Sequence, residues 1–263
     1  EQHAVTAAAG MAMSGLRPVV AVYSTFLSRA WDQVVYDVAL HKLPVVFCLD
    51  RAGITGDDGP SHHGVYDMTL LCKVPGMRVL APSSAQELQQ MLHDAMTLAN
   101  DGPVAIRYPK GTARNVDDSN VGAGLAARRL VSQSATGAKV AVLAIGKLVG
   151  NALKAVESIG TDANVDVWDV RSCQPLDPAM ISAAAAADVV ITVEDGIVEG
   201  GVGAAITQHI EAHIATAGGA MPRVHTMGVP TRFIAQAKPD AILAELGLDA
   251  TGIADAIRAA AAR

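Results

Sequence analysis

Between Asp50 and Gly64 the chain reads Asp-Arg-Ala-Gly-Ile-Thr-Gly-Asp-Asp-Gly-Pro-Ser-His-His-Gly. Three acids, two histidines, one arginine and four glycines fall in this one stretch, directly after an apolar run. A polar, glycine-rich loop on a rigid strand end is where α/β proteins place chemistry. Asp58-Gly59-Pro60 predicts a tight turn that presents His62 or His63 to a cleft, and an imidazole can move protons or polarise a carbonyl near neutral pH. A second cluster, Tyr23-Ser24-Thr25-Phe26-Leu27-Ser28-Arg29, follows another apolar run. Phe26 can stack on a flat heteroaromatic ring, and Tyr23 and Arg29 can bond a polar substrate. Spacing equally allows a core Phe26 and a solvated Arg29. Arg51 and Arg107 both fall at strand C-terminal ends, and this shared position points to an anion site, because guanidinium binds phosphate or carboxylate in a bidentate fashion.

Other motifs carry less. Gly200-Gly201-Val202-Gly203 could cradle a phosphate at a helix N-terminus, but the full dinucleotide fingerprint is absent and close helix packing is the favoured reading. Glu194-Asp195 reads as a strand-end or interface feature. His209, His213 and His225 show no ligand pattern, and no metal site is expected in the chain. The scattered Cys48, Cys72 and Cys173 read as small buried hydrophobes in a reducing, cytoplasmic setting.

The elements that must position these residues follow from the pattern. Apolar runs over 18–23, 44–49, 78–81 and 103–107 alternate with helix-length segments, which implies a parallel sheet covered on both faces. The helices expected around them span 2–14, 24–42, 66–72 and 83–99. A second such unit begins at Lys139, with strands over 140–146, 165–170, 189–194 and 224–227. The segment from Lys110 to about Thr136 has no period and reads as a linker. The expectation is α/β, with two consecutive parallel-sheet sandwich domains, 1–112 and 138–263, joined by residues 113–137.

At 263 residues, with 51% hydrophobic and only 3% aromatic side chains, the chain builds its cores from Ala, Val, Leu and Ile. Net charge is −6 and no basic stripe is present, which argues against nucleic-acid binding. No run approaches a membrane span.

Several of these motifs together resemble the 1-deoxy-D-xylulose-5-phosphate synthase family of the transketolase superfamily. They are Glu1-Gln2-His3-Ala4, the 23–30 cluster, Asp50-Arg51-Ala52-Gly53 with Asp58-Gly59-Pro60-Ser61-His62-His63-Gly64, and Arg107-Tyr108-Pro109-Lys110-Gly111. Gln174-Pro175-Leu176-Asp177 and Val193-Glu194-Asp195 with Gly200-Gly201 extend the likeness into the second unit. The resemblance implies a thiamine-diphosphate-binding pyrimidine domain followed by a transketolase C-terminal domain. It implies a thiamine diphosphate and Mg2+ enzyme that decarboxylates pyruvate and joins the two-carbon fragment to D-glyceraldehyde 3-phosphate, for isoprenoid, thiamine and pyridoxal precursors. Glu1 matches the glutamate that contacts the aminopyrimidine from a dry pocket, and Phe26 the ring that stacks on it. Tyr23, Arg51 and Arg107 match positions that hold the sugar phosphate. Arg29, Asp58 and His62 match polar groups near the reacting carbons, and only this resemblance prefers His62 over His63. It further implies a homodimer and a diphosphate- and metal-binding domain ahead of this segment, on the same polypeptide or a partner chain. Ser61 stands where relatives often carry Thr and keeps the hydroxyl. The alternatives are the pyrimidine-binding subunit of another thiamine-dependent enzyme, or a non-catalytic dimerisation module.

Overall fold

The computed structural model describes residues 1–262. In chain order the first elements are α1 (Gln2–Met13), β1 (Val19–Tyr23), α2 (Ser24–Leu27), β2 (Val46–Asp50), α3 (Asp67–Leu71), β3 (Arg78–Leu80), α4 (Ala85–Leu98) and β4 (Val104–Arg107). Then come β5 (Arg128–Gln133), β6 (Val140–Ala144), α5 (Leu148–Ile159), β7 (Val165–Asp169), β8 (Ser172–Gln174), α6 (Pro178–Ala185) and β9 (Val189–Ile197). The chain closes with α7 (Val202–Ala217), β10 (Arg223–Val229), α8 (Pro239–Glu245) and α9 (Ala250–Ala261).

Two five-stranded sheets form, in the orders β1-β2-β4-β3-β8 and β10-β9-β6-β7-β5. In each, four strands run parallel and the last edge strand is antiparallel. The central strands explain the unbroken apolar runs: β4, β6 and all nine residues of β9 are buried on both faces. The edge strand β10 shows the opposite, with Arg223, His225 and Thr226 exposed. Helix starts follow local chemistry. Ser84 caps α4 by accepting from Glu87 N at 3.1 Å, and Asp177, followed by Pro178, caps α6 by accepting from Ala179 N at 2.8 Å.

Three expectations need correction. The linker 113–137 contains β5, a half-buried edge strand whose Arg-Arg-Leu-Val-Ser-Gln sequence alternates only weakly because its register against β7 shifts between Arg129 and Val131. β8 is too short to show a period, and although it lies in the second unit's sequence it joins the first sheet beside β3 (Val79↔Gln174, Leu80↔Ser172). The helix expected over 24–42 is α2, a 3-10 turn at Ser28–Ala30 and a π-helical stretch at Gln33–Ala39, which turns Val34 and Val38 into the core.

Where β7 ends, Asp169 is almost fully buried and accepts from Ser83 Oγ and from Arg171 N. Beside it the fully buried Arg171 donates to Glu87 Oε2 at 2.8 Å and to the carbonyls of Ala123, Gly124 and Ala126. Burial pushes the Asp169 carboxyl from 3.8 up to about 7, against the Ser83 bond. A raised carboxyl holds in the folded state a proton that the unfolded chain has released, so stability falls as pH rises through that window. Denaturant titrations are expected to show the unfolding midpoint dropping from about pH 5 to about pH 7, with a shallower drop in Asp169→Asn.

Candidate active site

The C-terminal ends of β1, β2 and β4 lie side by side, with Tyr23 paired to Asp50 and Leu49 to Arg107 in the ladder. Arg51 leaves β2 with φ +56°, a left-handed turn that is costly for a non-glycine residue. Its guanidinium then lies 3.9 Å over the Tyr23 ring and pairs with Asp50. α2 starts at the next residue after Tyr23 and stacks Phe26 on Tyr23, with centroids 5.6 Å apart and planes at 10°. The His62 ring meets Phe26 edge-on at 5.3 Å. The Arg29 guanidinium sits 4.6 Å from the centre of the Phe26 ring and 3.5 Å from Glu1 Oε2. Glu1, Tyr23, Phe26, Arg29, Arg51 and His62 thus form one continuous array.

The loop that brings His62 there is pinned at its base. Gly53 and Gly64 exchange backbone hydrogen bonds at 2.7 and 2.8 Å. A Cβ on Gly64 would come within 2.5 Å of Arg51 O and Ser24 Oγ, so only glycine fits. Thr25 Oγ1 donates to Ser61 O at 3.1 Å, and Ser61 Oγ shares a hydrogen bond with His62 Nδ1 at 2.9 Å. His63 is turned the other way: it is buried, its Nδ1 accepts from Thr55 N at 3.1 Å, and burial lowers its pKa. At the tip, Lys110 donates to Asp58 Oδ2 at 2.7 Å. That bond, with smaller contributions from the Lys110, His62 and Arg51 charges, holds the Asp58 carboxyl below its usual range. Glu1 stands at the N-cap position of α1 without a side-chain capping bond, and its partly exposed carboxylate faces Arg29.

Arg107 is the larger correction. It is 2% exposed, donating through Nε to Asp67 Oδ2 at 3.0 Å and through Nη1 to Asp195 Oδ1 at 2.5 Å. Burial alone would depress its pKa, but the Asp195 and Asp67 charges outweigh that and raise it. Lys147 completes the cluster, 3.1 Å from Asp195 Oδ2. A guanidinium so engaged cannot also face a soluble anion. The exposed cation from this strand end is Lys110, three residues on. Strand pattern alone could not separate the two, but Asp195 was a signal, since a carboxylate within an apolar strand needs a buried cation.

The Gly200–Gly203 motif is already filled. The Glu194 carboxylate accepts from Val202 N at 3.0 Å and Gly203 N at 2.8 Å, which satisfies the start of α7 from within. A Cβ on Gly201 would stand 2.7 Å from Glu194 Oε2, so the glycines serve close packing. Cys48, Cys72 and Cys173 are unpaired, and burial raises all three thiols. Among the described residues, no group of three or more His, Cys, Asp or Glu side chains is placed to hold a metal ion, and no helix is long and apolar enough to cross a membrane.

Residues 1–115 match the family model for the transketolase pyrimidine binding domain and residues 130–253 that for the transketolase C-terminal domain. The chain belongs to the transketolase family. Within it, the chain is 42% identical over 267 residues to the 1-deoxy-D-xylulose-5-phosphate synthase of Magnetococcus marinus, covering 98% of this chain and 41% of that protein. Its identity to the Escherichia coli O81 synthase is 43% over 265 residues, covering 98% and 40%. The transketolase-type chain therefore spans about two fifths of the curated relatives it matches, and corresponds to their C-terminal part. A solved structure described as a split gene transketolase, inactive beta4 tetramer, superposes with a TM-score of 0.84 at 25% identity, covering 100% of this chain and 82% of that one.

In this transketolase-type domain, then, one strand end supplies a buried cation and an exposed one, and they can be told apart. Arg107→Met leaves Asp67 without its guanidinium and is expected to lower the unfolding free energy by about 3–5 kcal/mol. Lys110→Ala is expected to leave the thermal midpoint near wild type and to raise the Asp58 pKa, read by NMR titration of the side-chain carboxyl.

Proposed function

We propose that this chain supplies the pyrimidine-binding half of a thiamine diphosphate site. Its holoenzyme would decarboxylate pyruvate and join the two-carbon fragment to D-glyceraldehyde 3-phosphate, giving 1-deoxy-D-xylulose 5-phosphate. The observation that carries this reading is the array around Phe26. The planar, nitrogen-rich Arg29 guanidinium lies over the Phe26 ring and against Glu1. An aminopyrimidine stacked on Phe26 with a ring nitrogen toward Glu1 would use the same two surfaces. Arg29 is exposed and free to leave, so the residues present fit the cofactor. Identity of about 42% along the whole chain to synthases supports the same reading.

Thiamine diphosphate, when bound, supplies the carbanion chemistry at its thiazolium carbon. The chain's own residues do the rest. Glu1 holds or shares a proton at its carboxylate with the pyrimidine nitrogen, in surroundings that the diphosphate-binding domain must dry. Phe26 orients the ring by stacking. Arg51 and Lys110 receive the phosphate of the sugar, Lys110 in place of the Arg107 first expected, with Tyr23 carrying the Arg51 guanidinium on its face. His62, aimed by Ser61, moves a proton at the reacting oxygen, and Asp58 and Arg29 hold polar groups beside it. Mg2+ ligands would come from the other domain.

We divide the chain into the pyrimidine-binding domain 1–112, the C-terminal domain 138–263 and the segment 113–137, which connects them and lends β5 to the edge of the second sheet. The matched split gene transketolase chain is described as an inactive tetramer. By that analogy this chain folds, associates with its own kind and is silent without its diphosphate-binding partner domain; the homodimer follows from the family resemblance instead. A cytoplasmic place in isoprenoid precursor supply follows from the same reading.

The test is assembly of this chain with the diphosphate-binding domain, Mg2+ and thiamine diphosphate, followed by assay with pyruvate and D-glyceraldehyde 3-phosphate. Formation of the ketose phosphate is expected, with Phe26→Ala and Glu1→Gln weakening cofactor binding by about tenfold or more. Pyruvate turnover with no use of the phosphorylated acceptor would overturn the reading and favour a 2-oxo acid dehydrogenase subunit.

A further inference from the structure

The loop that carries Asp58 and His62 is built on the second domain. Ile54 and Val65, at its two ends, are buried in the hydrophobic core of the second sheet together with Val142, Ile191 and Val193. The Val65 carbonyl accepts from Ile197 N of β9 at 2.9 Å. Gly53, at φ +74°, rests its backbone on Asp195, and a Cβ there would lie 1.8 Å from Asp195 Oδ2. Gly56, at φ +85°, packs against Pro239 in the same way, and Asp57 pairs with Lys238 at 3.1 Å. The first domain therefore supplies the residues of the loop, and the second domain supplies its seat.

Besides the exposed Lys238–Asp57 pair, a largely buried side chain links the seat to the base of the loop by a directional bond. Lys147, at the start of α5, donates from Nζ to the Ile54 carbonyl at 3.1 Å while its charge meets Asp195 Oδ2 at 3.1 Å. It is 20% exposed, and its ammonium ends where a loop carbonyl and a buried carboxylate face each other. Asp195 keeps the Arg107 guanidinium whether or not Lys147 is present, so loss of the ammonium leaves that carboxylate still paired. Among the described residues, Lys147 is the donor to the Ile54 carbonyl and no second one meets it.

We infer that Lys147 is a positioning residue for the sugar-phosphate end of the site. It fixes the 53–64 loop so that Asp58 and His62 hold their places against Lys110 and Phe26, without touching substrate itself. This rests on the proposed function for its substrate and on the geometry above for its mechanism. The expected signature is selective, because the loop carries groups for the acceptor whereas Glu1 and Phe26, which would hold the cofactor, stand on α1 and α2. A small displacement of groups that orient a substrate is enough to lower turnover strongly.

The experiment uses the assembled holoenzyme with Lys147→Met and Lys147→Arg. In Lys147→Met the KM for D-glyceraldehyde 3-phosphate is expected to rise about tenfold while that for pyruvate stays within about twofold, and Lys147→Arg to restore most of the loss. Amide hydrogen exchange of residues 53–64 is expected to quicken in Lys147→Met, with exchange in β6 and β9 unchanged. Equal loss for both substrates in both variants would overturn the inference, as would an unchanged acceptor KM with unchanged exchange in the loop. If the wild-type holoenzyme makes no ketose phosphate, the proposed function fails by itself. Exchange in the loop, which needs no turnover, then decides the role of Lys147 alone.

Discussion

A guanidinium sealed between two carboxylates, with a lysine closing the far side, is the joint on which both sheets depend. Arg107 belongs to the first sheet and Asp195 to the second, and each would be prohibitively costly to bury alone. Together with Asp67 and Lys147 they make two positive and two negative charges, a neutral cluster joined by direct ion pairs, with Arg107 Nη2 left without a hydrogen-bond partner. Such a cluster adds little to stability beyond what an apolar core would give. It does fix register. An apolar contact tolerates sliding by an ångström, whereas Arg107 reaches both carboxylates from only one placement of β4 against β9. The same crowding has a cost next door: burial, with the adjacent Asp195 charge adding to it, raises the Glu194 carboxyl to about 7 even though two backbone amides bind it.

Much of this architecture was legible in the chain. The apolar runs marked the central strands, because strands buried on both faces leave no alternation to read, and Asp177-Pro178 and Ser84 marked helix starts that the structure repeats. The antiparallel edges were not legible. β5 and β8 are antiparallel additions whose residues sit in polar, irregular sequence, and an edge strand is defined by a partner distant in the chain. The candidate site divided along the same line. His62, well inside the loop after β2, was preferred only through the family resemblance, whereas Tyr23, Phe26 and Arg51 could be grouped because each lies within a few residues of a strand end. Arg107 met that criterion too, and failed because the direction of a side chain past a strand end depends on what packs there. The choice between His62 and His63, open by composition, is a matter of which imidazole faces Phe26 and which is enclosed by its own loop.

The contrast between Arg107 and Lys110 shows how one strand end serves two purposes. Arg107 is enclosed, and exchange of its carboxylates for another anion would require both sheets to open. Lys110 and Asp58 are part exposed, so their pairing is screened by water and contributes little. A weak, exposed pair exchanges partners readily, which is what an anion site needs before its anion arrives. Arg51, held on the Tyr23 face by a cation–π contact and by Asp50, is poised in the same way. The buried layer of charge sets positions and the exposed layer is free to bind.

A strand lent by the second domain to the first sheet explains why the buried layer can hold position. β8 departs from the second domain's sequence to pair with β3, and Ala81 N donates to Arg171 O at 2.8 Å just before that pairing begins. Arg171 takes a left-handed conformation there and turns its guanidinium back under the connecting segment, where Glu87 and three carbonyls receive it. The connection is thus held at both faces, by backbone pairing on one side and by a buried ion pair on the other. Rotation of one domain against the other would break ladder hydrogen bonds and expose an unpaired charge together. With that motion closed off, a loop contributed by one domain and seated on the other gains the rigidity of both, although neither its sequence nor its length would confer it.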